Sequence, residues 1–68
     1  MEQVILTIGG MSCQSCVKNV TSVLLAVPGV ERAEVSLEAG EANVVYDGLR
    51  VVPMQLKQAV EEAGFDAA

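Results

Sequence analysis

From residue 3 to residue 8 the chain alternates, with Val4, Leu6 and Ile8 on one side, Gln3 and Thr7 on the other, and Ile5 as the apolar intruder in the polar set. A period of two predicts a half-buried strand, and Gly9-Gly10 ends it. The period then changes. Val17, Val20, Leu24 and Val27 recur at spacings of three, four and three, the stripe of an amphipathic helix running from about Gln14 to Ala26 and stopped by Pro28-Gly29. Next, Ala33, Val35 and Leu37 alternate with Arg32, Glu34, Ser36 and Glu38. Beyond Ala39-Gly40, Ala42, Val44 and Tyr46 alternate with Glu41, Asn43 and Val45, so the two runs predict a hairpin. Pro53 suits the first turn of a second helix, with Leu56, Ala59 or Val60, and Ala63 on one face and Gly64 as its stop. Phe65-Asp66-Ala67-Ala68 leaves room for a short last strand.

The order βαββαβ is that of a ferredoxin-like α+β sandwich. Right-handed crossovers place both helices on one face of a four-stranded antiparallel sheet. If the first strand runs up, the turn into the first helix, the Ala39-Gly40 hairpin and the Gly64-Phe65 turn all lie at the top. The turn after the first strand, "GGMSCQSC", holds both cysteines, and this topology brings Phe65 to the same end.

Length and charge narrow the function. A chain of 68 residues makes a single domain over 1–68 and buries only about 60% of the surface its unfolded form exposes. A secreted disulfide framework of this size usually shows four or more cysteines spread along the chain, whereas these two close almost no loop. No basic then apolar leader pattern opens the sequence, and no apolar run approaches a membrane span. We therefore expect a soluble, cytoplasmic protein with reduced thiols, and Met1 and the stop at Ala68 lean towards a free-standing chain. The net charge of −5 and a single Phe and single Tyr argue against nucleic acid. Eight of the nine acids lie from Glu31 onward, and residues 3–30 carry only Lys18. The half holding the cysteines is thus nearly neutral.

Cys13 and Cys16 stand at i and i+3 at the start of a helix, where Cβ atoms are about 5–6 Å apart, so both sulfurs can reach one ion. The free N–H groups of the helix start favour thiolate, and Lys18 adds a nearby cation. A closed structural zinc site takes four N or S ligands, and the chain has no histidine and two cysteines. Soft thiolates select Cu(I) among common ions, and two of them also suit Hg(II) or Ag(I). A two-sulfur site on a glycine loop leaves the ion open to a third sulfur, which fits delivery better than storage.

The strand followed by "GGMSCQSC", "VPGV" at Val27 to Val30 and "AVEEAGFDA" at Ala59 to Ala67 together resemble the heavy-metal-associated domain family, over essentially the whole chain. That family includes copper chaperones, the metal-binding domains of copper-transporting P-type ATPases and mercury-binding proteins. The resemblance implies that Cys13 and Cys16 bind Cu(I) and pass it to a copper-transporting P-type ATPase or another Cys-x-x-Cys metal-transfer protein. The family's glycine falls on Gly10, its methionine on Met11 and the aromatic of its last loop on Phe65. It implies no turnover chemistry, and a monomer when metal-free with a metal-bridged dimer open to it.

Each of these residues has a plainer reading. Met11 reads as gap-filling core rather than a third, thioether ligand. Lys18 reads as a solvated helix residue with a modest electrostatic effect, and Phe65 as packing that also shields the site. Glu31, Glu34, Glu38, Glu41, Glu61 and Glu62 form a solvated face, with steering of a partner as the second reading. The rival from another class is a thiol-disulfide oxidoreductase with Cys13 as nucleophile and Cys16 as resolving thiol. Its usual scaffold is longer and commonly has an aromatic beside the first cysteine, where Ser12 stands here.

Overall fold

The computed structural model describes residues 1–67. Six elements follow in the expected order: β1 (Glu2–Gly9), α1 (Gln14–Leu25), β2 (Val30–Ser36), β3 (Glu41–Tyr46), α2 (Pro53–Glu62) and β4 (Asp66–Ala67). They form a four-stranded antiparallel sheet in the order β2-β3-β1-β4, with both helices packed against it. The alternation read from the sequence sets which side chains face the helices. Leu6, Ile8, Ala42, Val44 and Tyr46 from the sheet meet Val20, Leu24, Leu56 and Val60 from the helices, together with Val51, in one buried cluster. Val4, Ala33 and Val35 pack at its margin.

Three expectations are corrected. Ala26 is not part of α1 but its C-cap. Leu37 lies beyond β2, half-buried in the hairpin turn, because the chain must leave the pleat at Ser36 to close the turn. There Ala39 donates to Ser36 Oγ at 3.2 Å and Gly40 to the Ser36 carbonyl at 2.9 Å. On α2 the inward member of the pair is Val60 while Ala59 stays half-buried, and Ala63 is the exposed C-cap rather than part of the apolar face. The expected short last strand is present, pairing Ile8 with Ala67 and Gly9 with Asp66 among the described residues. Ala68 lies outside the described residues.

One end of the molecule gathers three loops, as the topology requires. Ile8, near the end of β1, donates its N–H to the Gly40 carbonyl at 2.7 Å, which ties the hairpin turn to the start of the cysteine loop. The C-terminus of α2 closes on the same end. Phe65 donates to Val60 O at 3.2 Å and Gly64 to Glu61 O at 3.0 Å, the paired bonds of a Schellman stop. Gly64 takes φ +96, a conformation that costs a glycine little.

Candidate metal centre

Cys13 is the N-cap of α1, in extended conformation at φ −159 and ψ 172, and no side chain caps the helix. Its carbonyl accepts from Cys16 N at 3.1 Å and Val17 N at 3.3 Å, which starts the helical ladder. The N–H groups before that point have no partner within the helix, and no acid occupies the first turn. Both thiols are free; Cys13 is exposed and Cys16 half-buried. Their sulfurs lie 3.7 Å apart, well beyond the ~2.05 Å of a disulfide, and both point to one patch of solvent.

The geometry favours a thiolate at Cys16. The backbone N–H of Ser12 is the main influence that holds the Cys16 thiol below its ordinary value; the Cys13 thiol is the next, and a small desolvation opposes them. The Ser12 hydroxyl adds a long contact, 4.0 Å from Cys16 Sγ. Gly10, at φ +93, turns the chain out of β1. A Cβ built on it would lie 3.6 Å from Cδ1 of Phe65, so the Phe65 ring rests on the backbone of the cysteine loop. Phe65 and Met11 are both half-buried and pack against the core.

The fold therefore brings Gly10, Met11, Ser12, Cys13, Cys16 and Phe65 to one end. Lys18 is exposed two residues past Cys16, about 200° around the helix, and among the described residues no hydrogen bond joins it to either sulfur. One participant, the Ser12 N–H, carries no side-chain signal in the sequence. Beside the loop, Asp66 pairs with Gly9, and its Cβ lies 3.3 Å from the position a Gly9 side chain would take. Among the described residues no cluster of three or more His, Cys, Asp or Glu side chains could hold a metal. None of their helices is long and apolar enough to cross a membrane.

Fold and thiol pair together define a class, a small ferredoxin-like domain that presents a Cys-x-x-Cys loop at the start of its first helix. The sequence model of the heavy-metal-associated domain matches residues 5–66, and the chain belongs to that family. It is 46% identical over 66 residues to the copper chaperone CopZ of Staphylococcus aureus, spanning 97% of each protein. Over 62 residues it is 52% identical to the copper-transporting ATPase HMA5 of Oryza sativa subsp. japonica, covering 91% of this chain and 6% of that protein. Among solved structures, a copper binding domain from HMA7, a P-type ATPase, superposes with a TM-score of 0.99 at 35% identity, covering all of this chain and 92% of the other.

Proposed function

We propose that this chain, acting as one domain over residues 1–68, binds a single Cu(I) between Cys13 and Cys16 and hands it to a partner by exchange of thiolate ligands. The observation that carries the reading is the pair of free sulfurs 3.7 Å apart at an uncapped helix start. That spacing lets both sulfurs contact one ion with little movement of the loop, and the exposed Cys13 leaves the ion open to an incoming third sulfur.

The relatives support the metal and the partner class. Both the CopZ of Staphylococcus aureus and the rice ATPase are named for copper, and thiolate softness selects the monovalent ion. A copper-transporting P-type ATPase or another Cys-x-x-Cys protein is the proposed recipient, in the reducing cytoplasm. Hg(II) and Ag(I) satisfy the same two thiolates and are the competing cargo.

Titration of the reduced protein with Cu(I) held by a coloured chelator tests the reading. One equivalent should transfer per chain. Full retention of Cu(I) by a variant carrying both Cys13→Ser and Cys16→Ser overturns it, and preferential uptake of Hg(II) under the same competition would move the assignment to mercury.

A further inference from the structure

The chain has two aspartates, Asp47 and Asp66, and two asparagines, Asn19 and Asn43; of these, Asp47 alone is followed by glycine. Asp47 opens the connection between β3 and α2, at the end of the molecule opposite the thiols. It follows Tyr46, which pairs with Glu2 at the start of β1, whereas the cysteine loop follows the other end of that strand. The metal site uses nothing in this connection.

Asp47 is the hub of the turn. Its N–H donates to the Gly29 carbonyl at 2.7 Å, and its carbonyl accepts from Arg50 N at 2.9 Å and from Val51 N at 3.1 Å. Those bonds seat Val51, which is 2% exposed, in the core. The side chain is held as well, because Asp47 Oδ1 accepts from Leu49 N at 3.0 Å, an Asx turn. A carboxyl group that reaches the N–H two residues on folds back over the peptide nitrogen between them. That nitrogen belongs to Gly48, and among the described residues its N–H has no hydrogen-bond partner. A side chain on Gly48 would have to displace Glu2, whose Cγ lies 2.8 Å from where the Cβ would stand. Asp47 is half-buried and Gly48 exposed, so water reaches the turn.

We propose that the Asp47–Gly48 bond is a site of backbone self-modification, closing to a succinimide and reopening to isoaspartate. The Gly48 nitrogen attacks Cγ of the protonated Asp47 carboxyl and gives up its proton. As the Cγ–N bond forms, the Cγ–O bond to the protonated oxygen breaks and that oxygen leaves as water. Negative charge developing on Oδ1 is met by the Leu49 N–H already in place, as a preorganised donor meets an oxyanion, and the turn supplies the proximity. Water then opens the ring. Addition at Cγ restores aspartate; addition at the former main-chain carbonyl breaks its bond to nitrogen and leaves isoaspartate. One water leaves and one returns, and nothing is oxidised or reduced.

Asp66 is the internal control. Ala67 follows it, and both residues are held in the β4 ladder. At Asp47 the consequence is local to the fold: the isoaspartyl chain runs through Cβ and Cγ, one methylene longer, between the bond to Gly29 and the turn that seats Val51. The turn then no longer closes on the same atoms. The modified chain loses stability at the end remote from the thiols, so the modification is independent of the metal reading.

The test is ageing of the reduced, metal-free full chain for weeks in mildly acidic buffer, followed by peptide mapping and by methylation with protein isoaspartyl methyltransferase. A product of unchanged mass and altered retention should accumulate at Asp47 severalfold faster than at Asp66, and hydroxylamine should trap the imide at Asp47. The folded chain should convert at least as fast as the chain unfolded in urea, where the Leu49 contact is lost. Leu49→Pro deletes that donor at a position whose side chain is 98% exposed, and should slow conversion severalfold. Asp47→Asn should reach the same two products faster, with loss of ammonia, and the isoaspartyl fraction of the unmodified sequence should show a lower urea midpoint. Four results overturn the proposal: no isoaspartate at Asp47, equal rates at Asp47 and Asp66, slower conversion in the fold than in urea, or an unchanged rate in folded Leu49→Pro. The urea comparison decides the matter if Leu49→Pro fails to fold.

Discussion

The two helices begin in opposite ways. At α2 the exposed N–H groups of the first turn are dealt with locally: Pro53 supplies none, Gln55 Oε1 accepts from Val52 N at 3.0 Å, and Leu56 and Val60 anchor the next turns in the core. Neither helix has a side-chain bond from its N-cap residue or an acid in its first turn, but α1 has no counterpart of Pro53 or of the Gln55 bond; its N-cap is a cysteine, and its first fully buried residue is Val20. The same device, a helix N-terminus with positive dipole end, is closed in one place and left open in the other. The open one carries the sulfurs. The difference teaches that the α2 start serves the fold, while the α1 start gives up local stability to keep donors for a thiolate.

Exchanging ligands at the open end should give the largest effect on binding with the smallest on folding. Cys13→Ser or Cys16→Ser is expected to weaken Cu(I) by orders of magnitude in chelator competition while leaving the metal-free melting temperature almost unchanged. Saturation of the wild type at a thousandfold excess over Kd adds about 4 kcal/mol, and each kcal/mol moves the midpoint of so small a domain by roughly 4–8 °C. The serine variants should lose most of that rise. Leu56→Ala, at the closed end and fully buried, should do the reverse: it costs ~2–5 kcal/mol of stability by denaturant titration and keeps one metal per chain. Tight Cu(I) binding by both serine variants, or lost binding in folded Leu56→Ala, would erase the contrast.

Much of this division is legible in the sequence. The alternation of Val4, Leu6 and Ile8, the stripe through Val20 and Leu24, and the stops at Pro28-Gly29 and Gly64 specify the fold because each is a local period or a local backbone demand. The placement of both cysteines after Gly9-Gly10 marks the loop for the same reason. What sequence does not show is contact between distant segments. Leu37 fits the period of its strand, yet the turn releases it. Asp66 is a tail residue until β4 pairs it with Gly9. The Ser12 N–H has no side-chain signal at all.

A smaller effect concerns the aromatic above the loop. Phe65 is half-buried and its ring lies on Gly10, so Phe65→Ala should cost less than the ~3–5 kcal/mol of a fully buried Phe. It should keep the stoichiometry and speed removal of Cu(I) by a small dithiol severalfold, with Leu56→Ala as the control whose exchange is unchanged. Equal rates for Phe65→Ala and wild type would make the ring core alone. Smaller still, Gln55→Ala opens the α2 start by removing the acceptor for Val52 N. By the measure of cap replacements it should cost about 0.5–1 kcal/mol, seen in the denaturation midpoint, with no change in thiol reactivity.

The finest test is the ionisation of Cys16. Its pKa is lowered in the folded chain chiefly by the Ser12 N–H, and the unfolded chain has the ordinary thiol value of about 8.5. The sign follows from linkage: the thiolate is the favoured form in the fold, so its contribution is present above the unfolded value and fades as pH falls through the folded one. The metal-free protein should therefore gain a little stability as pH rises through the interval just below the ordinary thiol value. Reactivity reads the same shift more directly. Initial rates of alkylation at Cys16, followed by peptide mass, should rise with a midpoint below that of an unfolded cysteine. Ser12→Pro, which deletes the N–H, should move the midpoint up. Ser12→Ala, which removes only the hydroxyl 4.0 Å away, should move it far less. If the alanine variant moved it as far as the proline variant, the hydroxyl rather than the open backbone would set the thiolate, and α1 would owe its reactivity to a side chain as α2 owes its stability to one.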